Sequence, residues 1–310
     1  MVTAILTVVV KVAELFLMIG VGAVCFRVGM LTRRGVTQLT TLLLYIVAPC
    51  LIVSSLAGQG GGITPGELVL SLGLAVLAHI LAIGLSLLFF RREPLSRRRV
   101  LRFSLIYSNT GFMGMPLVQA VVGEEGVVYA SVFIAVFNVF VWTHGYSLMS
   151  GGQHSGWKKV VLNPGVLALV VGLPLFFLGW DLPELIQVPI DSFAALNTPL
   201  AMVIIGCNIA RIPFREMFSD RAVFSAAALR LLLIPAVFLG AAFLCGPVPA
   251  LLLSSVIQAA APAAANTVLF ATRFGGDDTL AAKMVAVSSL ASVITLPLIV
   301  TVTQAVSGAL

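Results

Sequence analysis

Charge is the scarcest property of this sequence. Asp, Glu, Lys and Arg make up 10% of its 310 residues, where soluble domains carry about 25%. Hydrophobic residues make up 60%, where soluble chains carry about 45–50%. A water-soluble fold is thereby excluded. Cysteine is equally sparse. Cys25, Cys50, Cys207 and Cys245 lie in or at the ends of apolar runs without metal-type spacing, so they read as small hydrophobes rather than disulfides or metal ligands. The constellations of an enzyme are missing too. There is no phosphate loop, no metal-ligand cluster and no nucleophile with a paired base, which predicts no catalysis and no bound cofactor. Without a nucleotide site, any work the chain does draws on gradients or is passive.

What the chain has is apolar length. A hydrocarbon layer about 30 Å thick takes roughly 20 apolar residues per helix. Runs near residues 3–26, 36–57, 66–90, 98–121, 126–149, 160–179, 191–210, 220–245, 248–272 and 279–305 meet that requirement, and we number them spans 1 to 10. The expected fold class is an all-α polytopic membrane protein. Span 1 lacks a basic leading region and holds Lys11 and Glu14, so it reads as a retained helix rather than a cleaved signal peptide.

The bases are placed unevenly. Of 18 Lys and Arg, 15 fall in the odd-numbered connections, at positions 27, 33, 34, 91, 92, 97–99, 102, 158, 159, 211, 215, 221 and 273, and none falls in the even-numbered ones. Basic loops stay cytoplasmic, so both termini are expected outside, with the protein multi-pass in the cell inner (plasma) membrane. The net charge of +6 is then an orientation signal and not a nucleic-acid footprint. The arginines between spans 3 and 4 hold that loop inside and meet anionic lipid heads.

Matched features recur at a fixed distance. Pro49 in span 2 and Pro199 in span 7 are 150 residues apart, and Gly123-Glu124-Glu125-Gly126 is echoed by Gly275-Gly276-Asp277-Asp278 at 152. The spacing predicts two five-helix units, residues 1–150 and 160–310, joined by a linker at 151–159. A unit with five spans re-enters the membrane upside down when repeated, giving inverted halves of the kind transporters use.

Spans 4 and 9 each contain an interruption. Pro116 follows Gly111 and Gly114 and clashes with the carbonyl of Phe112; Pro262 sits midway along span 9. A break at each proline is expected, facing protein or a watery cavity, because free backbone groups cannot face lipid. The positive half-helix ends, with Asn109, Thr110, Asn266 and Thr267, suit an anionic group such as a carboxylate. For either proline alone a plain kink, with the asparagines joining helices, stays open. At an offset of 152, Pro116 falls on Val268 and Pro262 on Thr110, so the two breaks are not expected to be copies.

Ionisable residues inside spans are few. Lys11 and Glu14 share a face of span 1 and read as a structural ion pair or a proton-coupling site. Arg230 in span 8 pairs with Glu14 or draws an anion. His79 reads as a hydrogen-bonded structural residue, Lys283 as a snorkelling one, and His144 as interfacial, within an aromatic belt of Trp142, Tyr146 and Trp157.

The run Asn109-Thr110-Gly111-Phe112-Met113-Gly114-Met115-Pro116-Leu117, the Asn163-Pro164 that opens span 6, and Pro199-Leu200-Ala201 through Gly206 in span 7 resemble the auxin efflux carrier family over essentially the whole chain. The resemblance implies ten helices in two inverted five-helix repeats, a scaffold half and a transport half, and broken helices 4 and 9 crossing around the substrate. It also implies kinship with the bile-acid sodium symporter and sodium/proton antiporter folds. The long hydrophilic loop of plant members is absent, as in short bacterial members, some of which are associated with malonate or malate. Carried over by motif, Asn109 and Pro116 in span 4 and Pro262 in span 9 match the crossover, with Asn266 a looser match; together with Thr110, Gly111 and Thr267 beside them they are the expected substrate-binding positions. The expected partners are an organic anion and the lipid bilayer, with a homodimer open as the assembly. The expected function is a secondary carrier for a small carboxylate. A sodium- or proton-coupled symporter or antiporter is the alternative, and a channel a more distant one.

Overall fold

The computed structural model describes residues 2–57, 63–153, 158, 161–213, 217 and 219–308, with side chains placed at Val10 and from Ala13 onward. Among the described residues regular structure is helical throughout, apart from one isolated β-bridge between Ser108 and Ala263. The helices are α1 (Val2–Arg27), α2 (Arg33–Leu56), α3 (Pro65–Ser86), α4 (Leu95–Ile106), α5 (Thr110–Val121), α6 (Glu124–Ser150), α7 (Pro164–Leu178), α8 (Glu184–Ala210, bent at Leu196), α9 (Arg221–Phe243), α10 (Pro249–Ala260), α11 (Asn266–Arg273) and α12 (Asp278–Ser307). Of these, α2, α3, α6, α8, α9 and α12 are long and apolar enough to cross a membrane; α7 and α10 are apolar but shorter.

Local chemistry sets the ends. Thr32, Thr64, Asn163, Asp220 and Asp277 cap helix starts with side-chain oxygens that accept early backbone N–H groups, and Thr64 forms a reciprocal capping box with Glu67. The Asn163-Pro164 pair is such a start, with the proline where its missing N–H costs nothing. Two ends differ from the apolar runs. α3 stops at Ser86 instead of running to 90, and α8 starts at Glu184 instead of 191, because its first turns carry Glu184, Gln187 and Asp191 and are hidden from an apolarity scan.

Three prolines are absorbed in a common way. A π-turn at Leu43–Val47 precedes Pro49, one at Thr110–Gly114 precedes Pro116, and one at Leu229–Leu233 precedes Pro235. The wider turn relieves the clash that a proline makes with the preceding turn, so each helix continues past it. Pro116 therefore does not break its helix, contrary to expectation.

Packing forms two groups. α1 lies along the Asn197–Ala210 half of α8, and α2 packs on α7 and α8. Contact between α1 and α8 is backbone to backbone: a Cβ on Gly22 would collide with the Val203 carbonyl, and one on Gly206 with that of Ile19. The Cys207 thiol donates to the Gly22 carbonyl at 3.2 Å across this seam. In the other group α3 packs on α6 and α9, and α10 on α6, α9 and α12.

Candidate functional site

The chain leaves helical geometry at Tyr107-Ser108-Asn109, between α4 and α5, and again at residues 261–265, between α10 and α11. These breaks meet. The Asn109 N–H donates to the Pro262 carbonyl at 2.7 Å, and the Ala264 N–H donates to the Tyr107 carbonyl at 3.0 Å, forming the short antiparallel bridge. Ser288 of α12 supplies a further partner, its Oγ accepting the Ala263 N–H at 3.1 Å. Backbone groups that would be intolerable in lipid are thus satisfied within the protein. The break in the first of these segments lies upstream of Thr110, not at Pro116. α4 and α10 consequently end at Ile106 and Ala260, closer to the repeat spacing than the two prolines are.

Four short helices therefore converge here. The last carbonyls of α4 and α10 carry the negative ends of their dipoles, and the first N–H groups of α5 and α11 the positive ends. Arg230, 1% exposed in the π-turn of α9, deals with the negative ends. Its Nε donates to the Ala261 carbonyl at 3.1 Å, Nη1 to Leu105 at 3.0 Å and Ile106 at 3.4 Å, and Nη2 to Ala259 at 2.5 Å. The guanidinium ties α4 to α10, and its hydrogen bonds go to these carbonyls rather than to Glu14.

Unspent polar groups remain around the crossing. Thr110 Oγ1 at the start of α5, Thr267 Oγ1 at the start of α11, and both Nε2 and Oε1 of Gln258 in the last turn of α10 are buried without a hydrogen-bond partner. The Gln258 carboxamide occupies the place that a Cβ on Gly114 would take. The Asn109 side chain is buried beside them, 3% exposed. Open space lies beside Gly111, where an added Cβ would touch nothing within 4 Å. Asn266, half-buried, begins α11, and Pro116 lies buried one turn further along α5.

A small void of about 10 Å³ at the crossing is bordered by His79, Ser108 and Arg230, about the size that holds one water. His79 donates from Nδ1 to the Ala75 carbonyl at 2.7 Å and stacks on Phe140 at 4.8 Å.

The sequence carries the same message. A family described as "Membrane transport protein" matches residues 7–156 and 152–300. The chain belongs to the auxin efflux carrier family. Among its relatives, a Rhizobium meliloti (strain 1021) protein provisionally named a malonate transporter is 25% identical over 291 residues, covering 86% of this chain and 89% of the relative. An uncharacterized transporter of Methanothermobacter thermautotrophicus is 25% identical over 294 residues, covering 93% and 95%. The chain is a multi-pass membrane transport protein.

In this family member several expected positions do different work. Trp142, half-buried, and Tyr146, buried, also pack against other rings. Trp142 meets Phe270 edge-on at 5.3 Å and Tyr146 meets Phe274 at 4.9 Å, so α6 braces α11 from the side. His144 Nδ1 is 2.8 Å from the Tyr107 hydroxyl. Trp157 and the side chain of Lys11 lie outside the described residues, as does part of the 151–159 linker; Glu14 is exposed on α1. Sequence reasoning missed Gln258 and Ser288. The one available signal was a carboxamide four residues before Pro262 in an otherwise apolar helix.

A salt-bridge cluster fastens one end of the bundle. Arg97 at the start of α4 meets Glu93 at 3.0 Å, the α9 cap Asp220 at 2.7 Å and the α12 cap Asp277 at 3.3 Å. The hydrogen bond to Asp220 holds the Arg97 guanidinium above its usual range. Partial burial pulls the Asp220 carboxyl up, but hydrogen bonds from Arg97 and from the Ala222 N–H outweigh it and hold the carboxyl below the usual range. A depressed folded-state value stabilises the fold above the unfolded value of about 3.9, and that stabilisation is lost as pH falls through the folded value. Asp220→Asn, which keeps the cap oxygen, should cost about 0.5–1 kcal/mol at pH 7. The gap from the unmutated protein should begin to narrow below about pH 4 and close once the pH is below the depressed folded-state value. Thermal melting at both pH values measures it, and a gap unchanged in acid would show that the charge is immaterial.

Proposed function

We propose that this chain is a secondary carrier that moves an organic anion, a small carboxylate, by alternating access at the crossing of α4/α5 with α10/α11. One observation carries the reading. Arg230 occupies the negative helix ends, while the Thr110 and Thr267 hydroxyls at the positive ends, and the Gln258 carboxamide in the last turn of α10, are left unpartnered. Such an arrangement favours a negative ligand with several acceptor oxygens. A malonate-sized dicarboxylate, in line with the name of the Rhizobium relative, is the first candidate.

The reading includes ten crossings in two inverted five-helix units, residues 1–150 and 160–310, with both termini outside the inner membrane. It is supported by the gathering of odd-numbered connections: Arg97 reaches Asp220 and Asp277, Arg99 lies against Gly151, and Arg33 is near enough to Arg211 to repel it. The moving unit comprises α3–α6 and α9–α12, rocking against α1, α2, α7 and α8.

Asn109 provides the test. Its backbone makes the bridge to Pro262, so Asn109→Ala keeps that hydrogen bond and removes only the carboxamide. At a carboxylate concentration a hundredfold above Kd, a one-site ligand stabilises the protein by about 2.7 kcal/mol. A thermal-shift panel of mono- and dicarboxylates, malonate included, should show stabilisation of the unmutated protein that Asn109→Ala abolishes without unfolding. Stabilisation that survives intact would remove Asn109 from the site, and a panel with no stabilising carboxylate would overturn the substrate class.

A further inference from the structure

Away from the crossing, the turn that closes α3 combines three features. Phe90 has φ 59°, a left-handed conformation that a bulky residue adopts only under constraint from its surroundings. Three guanidiniums gather on the same turn. Arg91 Nε donates to the Leu87 carbonyl at 3.1 Å, Arg98 Nη1 to the Arg91 carbonyl at 3.4 Å, and Arg102 Nη2 to the carbonyls of Leu87 and Phe89 at 3.2 and 3.5 Å. Arg102 Nε is buried without a partner, and the neighbouring carboxylate, Glu93, is engaged by Arg97. Beside the turn opens an apolar groove of about 700 Å³, walled by Phe89 and Phe90 on one side and by Ser225, Ala228, Leu229, Leu232 and Leu233, one stripe of α9, on the other.

A cationic cluster with unspent donors at the mouth of an apolar groove matches an amphiphile with an anionic head. We propose that this turn and the outer face of α9 seat an anionic phospholipid, its phosphate held by Arg91, Arg98 and Arg102 and one acyl chain lying in the groove. Guanidiniums favour phosphate through charge-assisted, forked hydrogen bonds. The chain end is apolar because α9 exposes Ala228 and Leu232 there. Charge complementarity favours an anionic lipid over a zwitterionic one, and the apolar lining of the groove favours an occupant with an acyl chain over a free anion.

Native mass spectrometry of the purified full chain with equal amounts of dioleoyl phosphatidylglycerol and dioleoyl phosphatidylcholine tests this. The glycerol lipid should be retained preferentially, and the preference should fall about fivefold for each of Arg91→Gln and Arg98→Gln, the ratio that about 1 kcal/mol per base gives. Arg91→Lys, which keeps the charge but not the fork, should fall between Arg91→Gln and the unmutated protein. Ala228→Trp, which fills the groove and leaves every arginine in place, should lower phosphatidylglycerol retention to the level of the Arg91→Gln/Arg98→Gln double variant. If either the arginine variants or Ala228→Trp retain the lipid unchanged, the site is overturned. So it is if excess inorganic phosphate displaces the lipid while Ala228→Trp has no effect, since an anion site alone is then present. Loss of a dimer in Ala228→Trp would assign the groove to a second copy and overturn the lipid.

Discussion

Arg230→Met is expected to lower the unfolding free energy by about 3 kcal/mol or more, with Arg230→Lys falling between the variant and the unmutated protein. Methionine matches the arginine stem in bulk but donates nothing. The carbonyls of Leu105, Ile106, Ala259 and Ala261 would then lose a donor at the buried ends of α4 and α10, where each unsatisfied acceptor costs about 1–3 kcal/mol. Lysine restores the charge but not the fork that reaches both helices at once. Chemical denaturation in detergent provides the measurement. The outcome separates two roles. An arginine whose task was to bind the transported anion would lose ligand-dependent stabilisation with little change in the unliganded protein. A melting curve unchanged by Arg230→Met would show that those carbonyls have other partners and that the guanidinium is no clamp.

Gln258→Met is expected to raise stability by about 1–3 kcal/mol while abolishing carboxylate-dependent stabilisation. Gln258 is fully buried, and neither atom of its carboxamide is hydrogen-bonded. A buried polar group without a partner is a cost to the folded state, and methionine removes that cost at nearly the same length and volume. Proteins retain such costs where a ligand completes the hydrogen bonds. The opposite signs of the two effects make the test decisive: a glutamine that served only the fold would lose stability on replacement. Ligand-dependent melting that persists in Gln258→Met would place the anion elsewhere.

The crossing was legible in the sequence only in outline. Its two segments could be picked out because Asn109-Thr110-Gly111 and Pro262 interrupt apolar runs at related depth, and interruption is a local property. The position of the first break was not legible. Pro116 advertised one, yet the π-turn at Thr110–Gly114 absorbs it, and the chain instead leaves the helix at Tyr107, where it pairs with Ala264. A proline states that one donor is missing, but which neighbouring geometry accommodates the loss depends on what packs there.

The same boundary separates the other findings. Membrane class, most helix limits and the family followed from the chain alone, because apolar runs are sums over neighbouring residues. Which groups face one another did not follow. Arg230 finds its acceptors 29 to 125 residues away, Ser288 reaches Ala263 across 25, and Trp142 meets Phe270 edge-on. Hydrogen-bond satisfaction is a property of the assembled interior, where water is excluded and each polar atom must be met by whatever the fold brings near it.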